Sequence, residues 1–167
     1  MKKHKLLEIL KSAILLEVRG EAFYRKVSDS TENPDIKKIF DIMAREEVLH
    51  TKLLREKYSE VVKENKVSGI SLSDDQEQSA ASYVLSDSMK SSIESAGFEA
   101  AAISAAIDME SRAIKLYSES AEKADDINEK KLFSWLAEWE RGHHKLLFEL
   151  DKDLKERIWN DNQFWPF

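Results

Sequence analysis

The chain has 167 residues, a length typical of one domain that can bury a hydrophobic core. It carries 26 basic and 32 acidic residues, and the formal net charge of −6 excludes an overall basic surface for nucleic acid. The sequence contains no cysteine, which excludes disulfides, thiolate metal sites, iron–sulfur clusters and a cysteine nucleophile within this chain. No stretch approaches the roughly 20 apolar residues that span a membrane, so we expect a soluble, cytoplasmic protein.

Long helices are favoured by the composition, which includes only four glycines and two prolines. Four helical segments are predicted, over about 5–28, 34–65, 95–124 and 127–159. Asn33 directly precedes Pro34 and is predicted to cap the second helix. Asp126, with Glu129 three residues later, resembles a capping box and predicts the start of the fourth helix.

The connections between these helices differ in length. Residues 66–78 form a polar linker, and residues 79–94 have an ambiguous pattern that is compatible with a short helix. Short loops produce antiparallel hairpins, whereas the long connection has enough residues to travel the length of a bundle. We therefore predict an all-α four-helix bundle with one long crossover between helices 2 and 3. The predicted parts of this single domain are hairpin one at about 5–65, the crossover at about 66–94, hairpin two at about 95–159 and an aromatic tail at 160–167.

The two hairpins resemble each other when the chain is aligned with itself at an offset of 93 residues (17 + 93 = 110). The matching pairs are Glu17 and Glu110, Tyr24 and Tyr117, Phe40 and Phe133, Ala44 and Ala137, Glu47 and Glu140, and His50 and His143. Every residue type that can hold a metal ion repeats in register. The hairpins are therefore interpreted as two copies of one structural unit.

The repeated polar residues lie on helical stripes that are otherwise apolar. Residues three apart share a helix face, so each Glu-x-x-His directs an oxygen and a nitrogen ligand to one region. Either pair alone is equally typical of a solvated surface pair, but the repetition in register favours a buried site. Four buried carboxylates would repel one another and cost several kcal/mol each in desolvation. Two divalent cations would balance their charge, so the pattern predicts a dinuclear metal site.

The pattern Glu17, Glu47-x-x-His50, Glu110, Glu140-x-x-His143 resembles the ferritin-like superfamily, and most closely the di-iron site of rubrerythrin and bacterioferritin. The resemblance implies bridging carboxylates from Glu47 and Glu140, terminal carboxylates from Glu17 and Glu110, and one histidine for each metal. It also implies two iron ions per chain, with manganese or zinc as alternatives. The activity it implies is oxidation of Fe(II) by hydrogen peroxide or O₂, in protection against oxidative stress.

The sequence departs from the rubrerythrin pattern at two points. Rubrerythrins typically carry a four-cysteine rubredoxin domain, and without cysteine we expect an external electron donor. They also carry an additional glutamate one turn after the third-helix ligand, where this chain has Ala113. The remaining ligand set is closer to that of bacterioferritin. We expect Ala113 and its repeat partner Gly20 to leave room for O₂ or peroxide.

Two tyrosines are candidates for a supporting catalytic role. Tyr24 and Tyr117 lie two helical turns beyond Glu17 and Glu110, on the same faces. We expect each hydroxyl either to form a hydrogen bond with a metal-binding carboxylate or to supply an electron. Packing in the core is the alternative interpretation.

Several other polar residues are expected to lie at the surface. Glu46 precedes Glu47 but has Trp139 as its repeat partner, so a solvated carboxylate is favoured over an orienting role. Glu21 is assigned a surface or interface position, and His4 and His144 are expected to be ordinary surface residues.

The sequence leaves three functions open. The favoured one is a di-iron peroxidase or oxidase, followed by a ferroxidase in an iron-storing assembly, and then a non-catalytic bundle that holds manganese or zinc. A zincin peptidase is disfavoured because His-Glu-x-x-His is absent. The expected partners are hydrogen peroxide or O₂, an electron donor and further copies of the chain in a homodimer or larger oligomer, with neither nucleic acid nor membrane. The aromatic tail is compatible with docking on its own bundle or with a dimer contact.

Overall fold

The computed structural model describes residues 2–70, 79–94 and 97–161, and each regular element in these ranges is a helix. In chain order the elements are α1 (Lys3–Ser30), α2 (Pro34–Glu64), a 3₁₀ helix (Ala80–Ser82), α3 (Asp87–Ser91), α4 (Phe98–Glu122) and α5 (Ile127–Asp161). The four long helices confirm the predicted all-α bundle. None of the helices described is long and apolar enough to cross a membrane.

The connectivity is that of two helical hairpins joined by one long crossover. Helix α1 packs mainly on α2, and α4 packs mainly on α5. The crossover between α2 and α4 contains the 3₁₀ helix and α3, and both pack against α5. This arrangement confirms the predicted crossover, and the ambiguous stretch at 79–94 contains a short helix. Part of the predicted polar linker, residues 71–78, lies outside the described residues.

Two of the long helices begin at the predicted capping residues. The Asn33 side-chain oxygen accepts hydrogen bonds from the amides of Asp35 at 3.0 Å and Ile36 at 3.2 Å. Asp126 Oδ1 accepts from the amides of Asn128 at 2.8 Å and Glu129 at 3.1 Å. These contacts satisfy amides that have no carbonyl partner in the first turn of a helix.

The end of α5 differs from the prediction. The helix continues to Asp161, so the first two residues of the predicted tail are helical. Trp159 lies in this last part of the helix and is 48% exposed. The rest of the predicted tail, residues 162–167, lies outside the described residues.

The hydrophobic core consists of two clusters, one towards each end of the bundle. The upper cluster, near the turn between α1 and α2, includes Tyr24, Ile36, Phe40, Met43, Ile103, Leu147 and Leu150. The lower cluster, near the turn between α4 and α5, includes Leu6, Leu10, Leu54, Val61, Tyr117, Leu132, Phe133 and Leu136. The repeated glutamates and histidines lie between the two clusters in sequence on every long helix. The core therefore has an apolar half on either side of a buried polar layer.

Replacing Asn33 with alanine should lower the free energy of unfolding by about 1 kcal/mol, because two first-turn amides lose their acceptor. Chemical denaturation followed by circular dichroism measures this change. Asn33→Asp keeps an acceptor oxygen but removes the amide that donates to Ser92 Oγ at 2.9 Å. The aspartate variant should retain most of the stability. An equal loss of unfolding free energy in both variants would show that the Ser92 contact, and not the helix cap, provides the stabilisation.

Candidate metal centre

Six buried residues that could hold metal ions, from the four long helices, meet in the polar layer. Helix α1 contributes one glutamate, α4 contributes another, and α2 and α5 each contribute one Glu-x-x-His pair. The six residues are Glu17, Glu47, His50, Glu110, Glu140 and His143, and none is more than 3% exposed. The structure thus brings together all six residues that the sequence pattern selected.

The ligand atoms form two overlapping groups of four. One group contains Glu17, Glu47, His50 and Glu140, and the other contains Glu47, Glu110, Glu140 and His143. Within each group, one ligand atom from every residue lies within 4.8 Å of the others. Glu47 and Glu140 belong to both groups. This is the geometry expected of two neighbouring cation positions that share two carboxylates.

Each imidazole directs Nδ1 into the cluster of carboxylates. His50 Nδ1 lies 3.1 Å from both Glu17 Oε2 and Glu140 Oε1. His143 Nδ1 lies 3.3 Å from Glu110 Oε1 and 3.1 Å from Glu140 Oε2. Among the described residues, Glu140 Oε1 and His143 Nδ1 are buried without a hydrogen-bond partner. Closely spaced nitrogen and oxygen atoms, two of them buried without a hydrogen-bond partner, fit a cation between them.

Protons balance much of the charge of this cluster when no metal is bound. Burial and the neighbouring carboxylates raise the pKa of Glu47 well above its usual range and that of Glu110 to about 8. Burial alone would lower the pKa of His50 and His143, but the adjacent carboxylates raise it well above the ordinary value. Burial opposes ionisation of Glu140, yet the two imidazoles lower its pKa below the usual range. Metal ions would replace these protons.

The two repeated tyrosines reach across the bundle to the opposite hairpin. The Tyr24 hydroxyl on α1 donates a hydrogen bond to Glu110 Oε1 on α4. The Tyr117 hydroxyl on α4 donates to Glu17 Oε1 on α1. Burial and the carboxylates raise the pKa of both phenols well above the ordinary value, so both remain protonated donors. A carboxylate partner is one of the roles that the sequence left open for each tyrosine, and the structure shows that partner on the opposite hairpin.

The expectation that Glu46 is solvated is wrong. Its side chain is only 6% exposed, and its Oε2 lies 2.6 Å from His143 Nε2. The amide of Ala80 in the crossover donates to the same carboxylate. The repeat comparison missed this role because position 139 holds tryptophan. A better signal was available in the helical pattern, since Ile39 and Leu53, seven residues to either side, place Glu46 on a largely apolar face.

Two tryptophans lie beside His50, and the sequence analysis did not identify them as part of the site. The ring centroids of Trp135 and Trp139 lie 5.6 Å and 5.5 Å from that of His50, in edge-on geometry. They also contact each other, with centroids 5.1 Å apart. The His143 imidazole therefore contacts the Glu46 carboxylate, whereas the His50 imidazole contacts two tryptophan rings.

The remaining sequence candidates lie outside the cluster. Glu21 pairs with Arg25 at 3.2 Å near the surface, and His4 is exposed. His144 is half-buried and stacks on the exposed ring of Phe148. None of these residues belongs to either group of ligand atoms.

The backbone of Gly20 closely approaches a shared carboxylate. A Cβ atom at this position would lie 3.5 Å from Glu47 Cγ and Cδ, which is ordinary van der Waals contact. A methyl group therefore fits there, whereas a longer side chain would compete with the carboxylate for space. Ala113, the repeat partner, is buried in the lower cluster.

Comparison with known proteins gives one family and one similar fold. The family model described as rubrerythrin matches residues 8–91 and 102–162, which include all six clustered residues. A solved structure of a hypothetical protein from Pyrococcus furiosus has a TM-score of 0.66 and 24% sequence identity, covering 90% of each chain. This likeness supports the fold alone. No curated protein matches the sequence.

The metal-free protein should lose stability as the pH rises from about 5 to 9. Folded Glu110 holds its proton up to about pH 8, whereas the unfolded chain releases it near 4.5, so raising the pH between these values favours unfolding. Each proton that only the folded state retains changes the free energy of unfolding by about 1.4 kcal/mol per pH unit. The raised pKa values of Glu47 and both histidines act in the same direction.

Thermal melting of metal-free and zinc-loaded protein across this range measures the effect. The loaded protein is the control, because its ligands are already deprotonated and its melting temperature should depend less on pH. The same pH dependence in both samples would contradict the assignment of these protons to the cluster.

Tyr24→Phe should destabilise the metal-free protein by about 1–3 kcal/mol, because a buried Glu110 oxygen loses its donor. Urea denaturation of the variant measures the loss. Tyr58→Phe removes the same atom from a half-buried tyrosine outside the cluster and should have a much smaller effect. Equal losses in the two variants would indicate that the Tyr24 hydroxyl contributes no special interaction.

Proposed function

The chain belongs to the rubrerythrin family, and we propose that it is a non-haem di-iron oxidoreductase that reduces hydrogen peroxide or O₂ and so protects against oxidative stress. The observation that carries the proposal is the pair of buried ligand groups that share Glu47 and Glu140. Four carboxylates and two neutral imidazoles match the charge and the nitrogen–oxygen donor preference of two divalent iron ions.

The residues divide into three sets in this proposal. Glu47 and Glu140 would bridge the two ions, because each belongs to both ligand groups. Glu17 and His50 would complete one position, while Glu110 and His143 would complete the other. Burial of all six side chains excludes water from the centre, so their charges act in a medium of low dielectric constant.

When bound, a pair of Fe(II) ions would supply two electrons, which together with two protons reduce hydrogen peroxide to two water molecules or O₂ to hydrogen peroxide. The surrounding protein keeps the carboxylates oriented for this reaction. Tyr24 and Tyr117 each hold one oxygen of a terminal glutamate through a hydrogen bond, which would keep that carboxylate oriented towards the centre. Their raised pKa values keep both hydroxyls as donors at neutral pH.

The approach of the oxidant is proposed to pass Gly20, which lies beside the shared carboxylate of Glu47. Gly20 places only backbone next to Glu47, at a distance where one methyl group would already be in contact. The reducing equivalents are proposed to come from an external donor, since the chain has no cysteine to hold rubredoxin-type iron.

Anaerobic titration of the metal-free protein with Fe(II) tests the proposed centre. Binding should saturate at two equivalents per chain, and Glu47→Ala or Glu140→Ala should abolish paired binding because each removes a shared ligand. Glu56→Ala on the same helix as Glu47 removes an exposed carboxylate and should leave the stoichiometry unchanged. Retention of two tightly bound ions by either site variant would contradict the assignment.

Rapid mixing of the loaded protein with hydrogen peroxide or O₂ then tests the activity. At least one oxidant should convert the bound Fe(II) to Fe(III) faster than it oxidises free Fe(II) in the same buffer. No acceleration with either oxidant would favour the non-catalytic alternative, a bundle that holds manganese or zinc. A cage-sized assembly that deposits iron beyond two equivalents would favour the storage alternative.

A further inference from the structure

The two halves of the centre differ in the residue behind each imidazole. His143 Nε2 lies 2.6 Å from Glu46 Oε2, a distance at which an imidazole N–H donates a strong hydrogen bond to a carboxylate. His50 Nε2 is also buried, yet it has no hydrogen-bond partner among the described residues. Both Nδ1 atoms face carboxylates of the cluster at similar distances. The two halves therefore differ mainly in the partner of Nε2.

Glu46 is itself held in place from a second direction. The Ala80 amide donates to Oε1 at 3.1 Å and to Oε2 at 3.3 Å, and the carboxylate is 6% exposed. Ala80 begins the 3₁₀ helix of the crossover, which also packs against α5. The carboxylate is therefore fixed between the crossover and His143, and it orients the imidazole with Nδ1 towards Glu110 and Glu140.

On the other side, aromatic rings occupy the place of a carboxylate. Trp139 is the repeat partner of Glu46, and its ring stands perpendicular to that of His50 with centroids 5.5 Å apart. Trp135 contacts the same imidazole edge-on. Neither ring offers a charged acceptor for an imidazole N–H. The near-twofold repeat of the sequence is thus broken at one position that directly adjoins the proposed metal centre.

We propose that Glu46 makes the two metal positions unequal, so that the position with Glu110 and His143 fills first and holds its ion more tightly than the position with Glu17 and His50. The inference rests on the proposed dinuclear centre. A carboxylate behind a ligating histidine fixes its tautomer and orientation and raises its basicity, and loss of such a partner typically weakens metal binding about 10–100-fold. One ion would then remain bound while the other exchanges.

The order of filling is measurable in the unmodified protein. The chain has four histidines, so a ¹⁵N-histidine-labelled sample gives a simple spectrum in which His50 and His143 are the two buried rings. With one equivalent of Zn(II), the His143 signals should shift to their bound positions while those of His50 change little. The second equivalent should then shift His50. Simultaneous shifts of both rings, or His50 first, would overturn the inference.

A variant tests whether Glu46 is the cause. In competition with a chelator, Glu46→Gln should weaken the first Zn(II) step about 10–100-fold and leave the second step nearly unchanged. Glu138→Gln removes an equal charge from an exposed glutamate of α5 and should alter neither step. An unchanged first step in Glu46→Gln, or equal weakening of both steps, would show that Glu46 does not position His143. If Glu46→Gln does not fold, the order of filling in the unmodified protein decides the question.

These measurements also separate this inference from the proposed function. Uptake of fewer than two zinc ions by the unmodified protein would contradict the dinuclear centre itself. Uptake of two ions that fill both positions together would leave the centre intact and reject only the inequality.

Discussion

Four carboxylates are buried at one level of the helical bundle, and the structure depends on positive charge that offsets their mutual repulsion. Burial raises the cost of each charge, and proximity raises it further, so the cluster exists only with compensating positive charge. Without metal, protons supply part of that charge, as the raised pKa values of Glu47 and Glu110 indicate. The apolar clusters above and below hold the helices together and keep the polar layer dry. Stability and metal affinity are therefore linked through the same side chains.

The twofold repeat gives the two hairpins matching contributions to the polar layer. Each hairpin supplies one terminal glutamate, one Glu-x-x-His pair and one tyrosine, and each tyrosine forms its hydrogen bond with the other hairpin. The aromatic neighbours repeat as well, since Tyr24 packs near Phe40 and Tyr117 stacks near Phe133. Each terminal glutamate therefore depends on the opposite hairpin for its tyrosine donor. The crossed hydrogen bonds thus couple the polar layer to the pairing of the two hairpins.

The crossover breaks this symmetry, because a single connection can lie against only one side of a repeated structure. Its Ala80 amide binds Glu46, which reaches His143, and the corresponding position beside His50 holds Trp139. The long connection therefore does more than join α2 to α4. It contributes a backbone donor to a chain of hydrogen bonds that ends at one imidazole.

The sequence by itself determined the helices, two of their caps and the set of six clustered residues. These features depend on spacings of three or four residues and on an internal repeat, which can be read without knowing how the helices pack. The tertiary structure decided the crossed tyrosine contacts and the burial of Glu46. The partners of Tyr24, Tyr117 and Glu46 lie 86, 100 and 97 residues away in the chain, respectively. The repeat also misled the assignment of Glu46, because its equivalent is not a carboxylate. Contacts across such separations depend on which helix faces meet once the two hairpins and the crossover have packed together. The spacing of residues within one helix does not specify these contacts.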